Sequence, residues 1–393
     1  MLRTQLTHWL HPQPHFVVRR SPVYYGWIVW GIATLGIIAT SPAQNFTVAQ
    51  FVDYLIADFQ LDRTTISTIF SVGSVVGALC LTWVGRKIDR HGNRLVSAAV
   101  IAGFALTLVI ISWATTPLML LTVFIGVRTM GMGSLWIVSS TAIAQWFIRL
   151  RGVMFSLTLV IFALWQAVYV PWLQQQLEQQ NWRELWLLFG IVIGVVALPF
   201  TWILMRNRPE DFGLLADGVQ PSATATDLPQ VGEVNYTLAE AKRLPVFWVY
   251  IAARFVSPLI GSGLIFHQVS IFTSLGHSAL ASAQNYALMS VMNAILSLGF
   301  GMVIMRLRPG IFLAISMLAL VAASVCAMTM TTPLLTTVYA ASIAVLFSGA
   351  GVFDGTIWTN LFGRLHQGAI RGFVAMASII GAAIGPIAFA VSF

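Results

Sequence analysis

The chain is poor in charged residues. Only 9% of its 393 residues are Asp, Glu, Lys or Arg, whereas 58% are hydrophobic, and the mean hydropathy is +0.83. A soluble globule of this length needs more polar surface than this composition provides. The scarcity of charge therefore excludes an ordinary soluble protein and indicates a chain whose solvent is a lipid bilayer.

Cysteines and catalytic motifs are scarce as well. Cys80 and Cys326 both fall in apolar stretches, so we expect two small packing residues rather than a disulfide. No glycine-rich loop ending in Lys-Ser/Thr is present, which argues against an ATP-driven pump. The N-terminal His8, His11 and His15 have no acid or cysteine to complete a metal site. We predict no enzyme, no cofactor and no metal.

Eleven apolar stretches are long enough to cross a bilayer. About 20 helical residues span the roughly 30 Å hydrocarbon core, where a helix satisfies its own backbone hydrogen bonds. We predict spans near 24–45, 64–85, 95–114, 118–146, 153–172, 184–205, 246–273, 281–305, 311–330, 334–362 and 372–393. The predicted fold is an all-α multi-pass membrane protein.

Basic residues outnumber acidic ones by 21 to 13, and they crowd into the N-terminal tail and every second gap between spans. Seventeen of them do so: Arg3, Arg19, Arg20, Arg86, Lys87, Arg90, Arg94, Arg149, Arg151, Arg206, Arg208, Lys242, Arg243, Arg306, Arg308, Arg364 and Arg371. The alternate gaps hold only Arg63 and Arg183. Because positive loops stay on the cytoplasmic side, we predict a cytoplasmic N-terminus in the plasma (inner) membrane.

This topology also explains the net charge of +8, so we expect anionic membrane lipid as a partner and no nucleic acid. No cleavable signal peptide is expected, because the chain does not open with the usual arrangement of such a segment. We predict a cytoplasmic tail at 1–23, a six-helix half at 24–205, a cytoplasmic linker at 206–243 and a five-helix half at 244–393.

The two halves carry matching markers. Thr-Thr-Pro-Leu precedes the fourth span of each half, with Pro117 and Pro333 lying 216 positions apart. Trp27 and Trp248 are 221 positions apart, and the Arg-Gly pairs at 151 and 371 are 220 apart. Such repeats are typical of secondary transporters. A repeat of six helices implies twelve, so we expect the twelfth helix to be absent from this chain.

The loop between spans two and three reads Gly85-Arg-Lys-Ile-Asp89-Arg90-His-Gly92-Asn-Arg94. It resembles the loop signature of the major facilitator superfamily, which implies two six-helix pseudo-repeats. The glycines favour a tight turn, and Asp89 could meet an arginine or a helix N-terminus of the other half and hold the inner side shut. A simple solvated basic loop remains the alternative.

Three shorter stretches, 205–213, 266–268 and 368–372, resemble the monocarboxylate transporter and oxalate/formate antiporter branch. That resemblance implies a small carboxylate-like substrate, often moved with a proton. The chain departs from the branch, because span eight offers Gln284, Asn285 and Asn293 in place of an arginine, and span eleven has no basic residue after Arg371. The resemblance therefore does not identify the substrate.

Three charges fall at membrane depth, where each costs at least about 2.5 kcal/mol on insertion scales. Arg128, near the middle of span four, is a candidate for binding an anion, or else a structural arginine satisfied within its half. Arg254 and Asp354 lie at similar depths on spans seven and ten. They could form a permanent salt bridge, or serve as a substrate arginine with a proton-carrying partner.

Several uncharged or weakly basic residues are further candidates. His267 could bind a proton or a carboxylate, or be a satisfied polar group near the interface. The candidates for cavity lining, each with helix packing or an outer loop as its alternative, are Asn45, Gln166, Tyr169, Asn285, Asn293, Trp358 and Asn360.

Three functions remain open at this point. The first is a monomeric secondary transporter of a small organic anion, coupled to a proton or to exchange. The second is an exporter of amphiphilic or aromatic compounds. The third is a membrane scaffold without transport activity.

Overall fold

A computed structural model describes Val18 and residues 21–218, 235–303 and 306–390. Within these ranges the regular structure is entirely helical. Eleven helices are long and apolar enough to cross a membrane, which confirms the predicted all-α fold. The predicted tail residues Arg3, Arg19, Arg20, His8, His11 and His15 lie outside the described ranges, as do 219–234 of the predicted linker and the end of the last predicted span.

The first six spanning helices precede the linker. They are α1 (Gly26–Ala39 and Asn45–Phe59, joined by a 3-10 turn at Ser41–Ala43), α2 (Arg63–His91), α3 (Asn93–Ile111), α4 (Pro117–Gly126, a π-helical segment Val127–Ser134, and Leu135–Trp146), α5 (Arg151–Gln179) and α6 (Trp182–Val192, a π-helical segment Ile193–Ala197, and Leu198–Leu204). Helix α1 packs on α4, and α6 packs on α3.

The connection between the halves contains short 3-10 turns at Pro209–Phe212 and Ala216–Gly218 and a short helix at Leu238–Ala241. The second half contains α7 (Pro245–Phe266, followed by a short helix at Gln268–Ser274), α8 (Ala279–Val303), α9 (Pro309–Thr329), α10 (Pro333–Phe362) and α11 (Gln367–Ala390). Here α10 packs on α8 and α9, whereas α7 lies along α11.

The Thr-Thr-Pro-Leu repeat starts α4 and α10. The hydroxyls of Thr116 and Thr332 accept hydrogen bonds from the backbone N–H of Met119 and Leu335, at 3.2 and 3.4 Å. Each proline occupies the first helical turn, where its missing N–H leaves no bond unmade. The repeated sequence is therefore a repeated helix cap.

The break in α1 follows from Pro42. A 3-10 turn at Ser41–Ala43 is followed by Gln44 in an extended conformation, which interrupts the helical hydrogen bonds and frees backbone carbonyls within the bundle. At the same level α4 is π-helical over Val127–Ser134, a distortion often found at functional sites. The two irregular segments contact each other.

The two halves meet mainly through α2 with α11 and α5 with α8. Ser156 of α5 donates to the carbonyl of Ser297 in α8 at 2.8 Å. We call the end of the bundle that holds the α2–α3, α4–α5 and α10–α11 connections the basic end. Cys80 and Cys326 are both free thiols.

Candidate functional site

Arg254 of α7 and Asp354 of α10 form an ion pair inside the second half. The N–O distance is 2.5 Å, and only 15% and 20% of the two side chains are exposed. Trp358 donates its indole N–H to the Asp354 carboxylate at 3.2 Å. The Nε of Arg254 is buried and has no hydrogen-bond partner. The pair therefore joins two helices while the guanidinium keeps an unused donor.

A small cavity of about 20 Å³ borders this pair. It lies between α7, α9 and α10, and besides Arg254 its walls include Tyr250, Ser257, Met317 and Phe353. The lining is mostly apolar and aromatic with a few hydroxyls. A cavity of this volume has room for about one water molecule, so a small organic molecule fits only when the surrounding helices move apart.

Arg128 lies in the π-helical segment of α4 and is only 6% exposed. Its guanidinium donates to the Ala43 carbonyl and to the Asn45 side-chain oxygen, both at 2.9 Å. It also lies 4.7 Å from the ring centroid of Phe70, a distance that allows a cation–π contact. Among the described residues no carboxylate pairs with Arg128. Its charge is therefore stabilised by the carbonyl, the amide oxygen and the aromatic ring. Its Nε is buried without a partner.

The predicted Asn45 thus contacts Arg128, whereas Tyr169 lies farther along the α1 break. The Tyr169 hydroxyl accepts from Thr47 at 3.3 Å, and its ring stacks on Trp165 at 5.7 Å. Trp165 in turn donates to Ser41 at 2.9 Å. Gln166 is half-buried on the same helix. These contacts tie α5 to the break in α1.

Three other predicted residues lie away from both arginines. Asn285 tethers α8 to α10 by donating to the Thr336 carbonyl at 2.7 Å. His267 ends the main α7 helix, 13 residues and so about 20 Å beyond Arg254. Asn293 is half-buried, with an unpartnered side-chain oxygen. The structure brings none of them to the ion pair.

At the basic end, Asp89 of α2 contacts the first turn of α11. Its two carboxylate oxygens accept from the backbone N–H groups of Gly368 and Ala369, at 2.7 and 2.8 Å. A carboxylate is favourable there, because a helix N-terminus has unpaired donors and a positive dipole end. Asp89 thereby links the two halves.

Two glycines permit this contact. A Cβ atom added to Gly85 would lie 1.9 Å from the carbonyl oxygen of Gly368, and one added to Gly368 would lie 2.2 Å from that of Gly85. Both obstacles are backbone atoms, which a side-chain rotation does not move. The crossing of α2 and α11 therefore requires glycine at both positions.

The rest of the loop motif faces its own half or solvent. Gly92 turns the chain with a φ of +82°, a conformation that suits glycine. The backbone N–H of Arg94 donates to Asn207, and its side chain donates to the Trp202 carbonyl, both at 2.9 Å. Arg90 is exposed.

Arginines that the sequence analysis treated only as topology signals also connect the halves. Arg151 donates to the Phe147 and Ala144 carbonyls at the end of α4 and to the side chain of Asn360 in α10, at 2.8 to 3.0 Å. Arg364 pairs with Glu210 at 2.9 Å. Burial of Arg151 is what the sequence analysis missed, and the repeated Arg-Gly marker was the signal that could have found it.

Arg371, the repeat partner of Arg151, makes its hydrogen bonds within its own half, and its guanidinium carbon also lies 5.8 Å from the ring centroid of Phe155 in α5. It donates to the carbonyls of Asp354 and Gly355, at 3.0 and 2.8 Å. Arg151 thus binds carbonyls at the end of the preceding helix, which its positive charge stabilises, whereas Arg371 binds carbonyls about two turns inside α10.

Comparisons with known proteins agree with this architecture. The sequence profile described as Major Facilitator Superfamily matches residues 32–386. The human organic anion transporter MFSD10 (TETRAN) matches with a TM-score of 0.61 and 16% identity, over 95% of this chain and 94% of that chain. The proton:xylose symporter XylE, bound to 6-bromo-6-deoxy-D-glucose, matches with a TM-score of 0.62 and 14% identity, over 94% and 89%. No curated protein sequence matches the chain.

Proposed function

Because the chain belongs to the Major Facilitator Superfamily, we propose that it is a secondary transporter that moves a small, monocarboxylate-like organic anion by alternating access. Transport is coupled to a proton or to exchange of a second anion. The protein acts as a monomer in the plasma (inner) membrane with its N-terminus in the cytoplasm, an orientation that the basic loops support.

The observation that carries this proposal is the buried Arg254–Asp354 pair, which borders a small cavity with mostly apolar walls. A substrate carboxylate and the Asp354 carboxylate compete for the same guanidinium. A proton on Asp354 removes its charge and frees Arg254 to bind the substrate in a bidentate manner. Loss of that proton restores the ion pair and expels the anion. Proton and substrate are thereby coupled through one arginine.

Arg128 adds positive potential from the first half. Its charge is not cancelled by a carboxylate among the described residues, so its field reaches farther than that of an ion pair. We expect it to attract an anion and to accept one only if Asn45 or the Ala43 carbonyl releases it. The apolar and aromatic walls beside Arg254 favour an anion with an apolar body.

The gate at the basic end consists of the Asp89 contact with α11, the Gly85–Gly368 crossing and the Arg151–Asn360 bond. Alternating access requires all three to separate when this end opens. Each contact is small, which suits an equilibrium between two states of similar free energy. Arg90 and Arg94 belong to the loop motif that contains Asp89.

Uptake into proteoliposomes tests the proposal. The full chain is reconstituted and offered radiolabelled aliphatic and aromatic mono- and dicarboxylates, with and without an imposed pH gradient. We expect saturable, pH-driven uptake that Arg254→Gln abolishes and that Arg183→Gln, at the opposite end, leaves measurable. Saturable uptake that Arg254→Gln leaves unchanged would contradict the role of this residue, and the same result for Arg128→Gln would remove Arg128 from binding.

A second candidate, export of amphiphilic or aromatic compounds, is favoured by the lining with Tyr250, Met317 and Phe353. Energised vesicles loaded with neutral aromatic compounds distinguish it, because their export needs no arginine. If a folded protein moves neither class of compound, a scaffold without transport activity becomes the better explanation.

A further inference from the structure

A second and larger cleft lies at the basic end, outside the region of the buried arginines. It has a volume of about 380 Å³ and opens to the surface. Three separate parts of the chain line it: the end of α2 with Arg86, Asp89 and Arg90, the linker around Thr237, and the start of α11 next to His366. The cleft therefore spans the boundary between the first half, the linker and the second half.

Two guanidinium groups in this cleft are available to a ligand. Arg86 and Arg90 are exposed, and neither forms an ion pair within the part of the chain that the structure describes. Among the described residues, Arg86 makes one hydrogen bond, a long one of 3.5 Å from its Nε to the Thr82 carbonyl. Both side chains can therefore turn toward an anion without breaking an existing salt bridge.

The carboxylates nearby are already satisfied by other groups. Asp89 accepts two backbone hydrogen bonds from the first turn of α11. Glu240 accepts from the backbone N–H and hydroxyl of Thr237, and these bonds lower the pKa of its carboxyl group. Among the described residues, neither acid forms an ion pair with Arg86 or Arg90. His366 adds a third basic side chain to the lining.

Near the cleft, the side chains are of the types found at the boundary between lipid and water. Trp83, one turn before Arg86, is 56% exposed, and the Lys87 ammonium lies 5.1 Å from its ring centroid. Tryptophan and lysine are typical of the headgroup level of a membrane. A phosphate carried by a lipid headgroup and one dissolved in the adjacent water can both reach this depth.

We propose that this cleft binds a phosphate-bearing anion, held by Arg86 and Arg90 with His366 as a further donor. Two arginines suit such a ligand because each guanidinium can bind phosphate oxygens in a bidentate manner. The bound anion cross-links α2 to the start of α11. It stabilises the state in which the basic end is closed, because opening that end separates the ligating groups.

Binding is measured on the full chain in nanodiscs, so the test does not depend on transport. One set of discs contains phosphatidylcholine alone, a second contains added phosphatidylglycerol, and a third contains phosphatidylcholine with inorganic phosphate in the buffer. A ligand that binds only the folded protein raises its thermal midpoint. We expect an increase with phosphatidylglycerol if the source is lipid, and with inorganic phosphate if it is soluble.

Variants assign the effect to the cleft. We expect Arg86→Gln to weaken binding about fivefold, and the double variant Arg86→Gln/Arg90→Gln more than tenfold. Arg86→Lys keeps the charge but not the bidentate contact, so we expect it to weaken binding less than Arg86→Gln does, a ranking that a folding defect would not produce. Arg306→Gln removes an exposed arginine from the same end outside the cleft and should behave as the wild type.

Two results would overturn the proposal. The first is that neither anion raises the thermal midpoint of the wild-type protein. The second is that Arg306→Gln loses as much of the effect as Arg86→Gln, which would mean diffuse attraction to the whole basic end.

Discussion

The two halves of the molecule solve the same problem, a buried arginine, in different ways. Arg128 in the first half is held by a carbonyl, the Asn45 amide and the Phe70 ring, whereas Arg254 in the second half is held by Asp354. Dipoles and a ring surround the first charge and do not titrate. A carboxylate can gain a proton and release its arginine, which is why we propose the switch for the second half.

The packing around the two arginines also differs between the halves. In the first half α1 lies along α4, and α6 covers α3. In the second half α7 lies along α11 instead, and a small cavity lies between α7, α9 and α10. Arg128 is therefore enclosed by its helices, while Arg254 borders this cavity. We expect substitutions around Arg254 to affect transport more than substitutions around Arg128.

Breaking the ion pair should have the largest effect. Arg254→Gln leaves the Asp354 carboxylate buried and unpaired, which costs about 3 to 5 kcal/mol of stability. The double variant Arg254→Gln/Asp354→Asn should recover most of this loss, because both charges are gone. Neither variant should transport the anion. Thermal unfolding and uptake, measured together, check both expectations, and a double variant no more stable than the single one would contradict them.

Replacing Asp354 alone sharpens the comparison between a switch and a fixed site. Asp354→Asn keeps a hydrogen-bonding group for Trp358 and Arg254 but cannot exchange a proton. We expect anion exchange to persist while stimulation by a pH gradient disappears. Uptake at several pH values measures this. A gradient response equal to that of the wild type would place the proton elsewhere.

Filling the crossing of the halves should have an intermediate effect. Gly85→Ala puts a methyl group against the backbone of Gly368, and overpacking of this kind costs about 1 to 3 kcal/mol. The strain is relieved when the basic end opens, so the open state should gain population. Gly299→Ala, in α8 with open space around it, is the matched control. The change in the population of the open state is measured by the labelling rate of a cysteine introduced at the basic end.

Removing the charge of Asp89 should shift the same equilibrium by less. Asp89→Asn loses the charge at the start of α11 and keeps one acceptor, for an expected cost of about 1 kcal/mol in the closed state. The same labelling assay applies. An effect larger than that of Gly85→Ala would reverse the order given to these two contacts.

The smallest effect is expected at the opposite end of the first half. Asp58 pairs with Arg183 at 2.5 Å, but the two side chains are 40% and 29% exposed. Surface pairs contribute about 0 to 1 kcal/mol, and salt screens them. Asp58→Asn should therefore change the thermal midpoint slightly at low salt and not at high salt. A large shift that persists in high salt would mean that this pair also fastens the fold.

Hydropathy located the spanning helices well, because a bilayer demands about 20 apolar residues wherever a helix crosses it. The predicted fourth spans, 118–146 and 334–362, end at the same residues as α4 and α10. The predicted C-terminal end of α5, at Trp172, was less accurate, because the helix continues to Gln179 through a polar stretch whose hydropathy resembles that of a loop. Helical hydrogen bonds continue beyond the membrane and are not limited by its thickness.

Partners within the site were harder to predict. Matching depth suggested that Arg254 and Asp354 could meet, because depth can be counted along each helix. No such count relates Arg128 to Ala43, whose carbonyl is free only because Pro42 breaks α1. Nor could counting show that Arg151 reaches Asn360 across the two halves.

The sequence by itself therefore determined the class of the protein: the scarcity of charge, the eleven apolar spans and the two related halves. These follow from local chemistry, since each residue's transfer free energy between water and lipid is nearly independent of distant residues. The tertiary structure alone decided which carbonyl, amide or carboxylate meets each buried arginine. Those contacts depend on helix rotation and packing to within about 1 Å, and residues far apart in the chain set that geometry together.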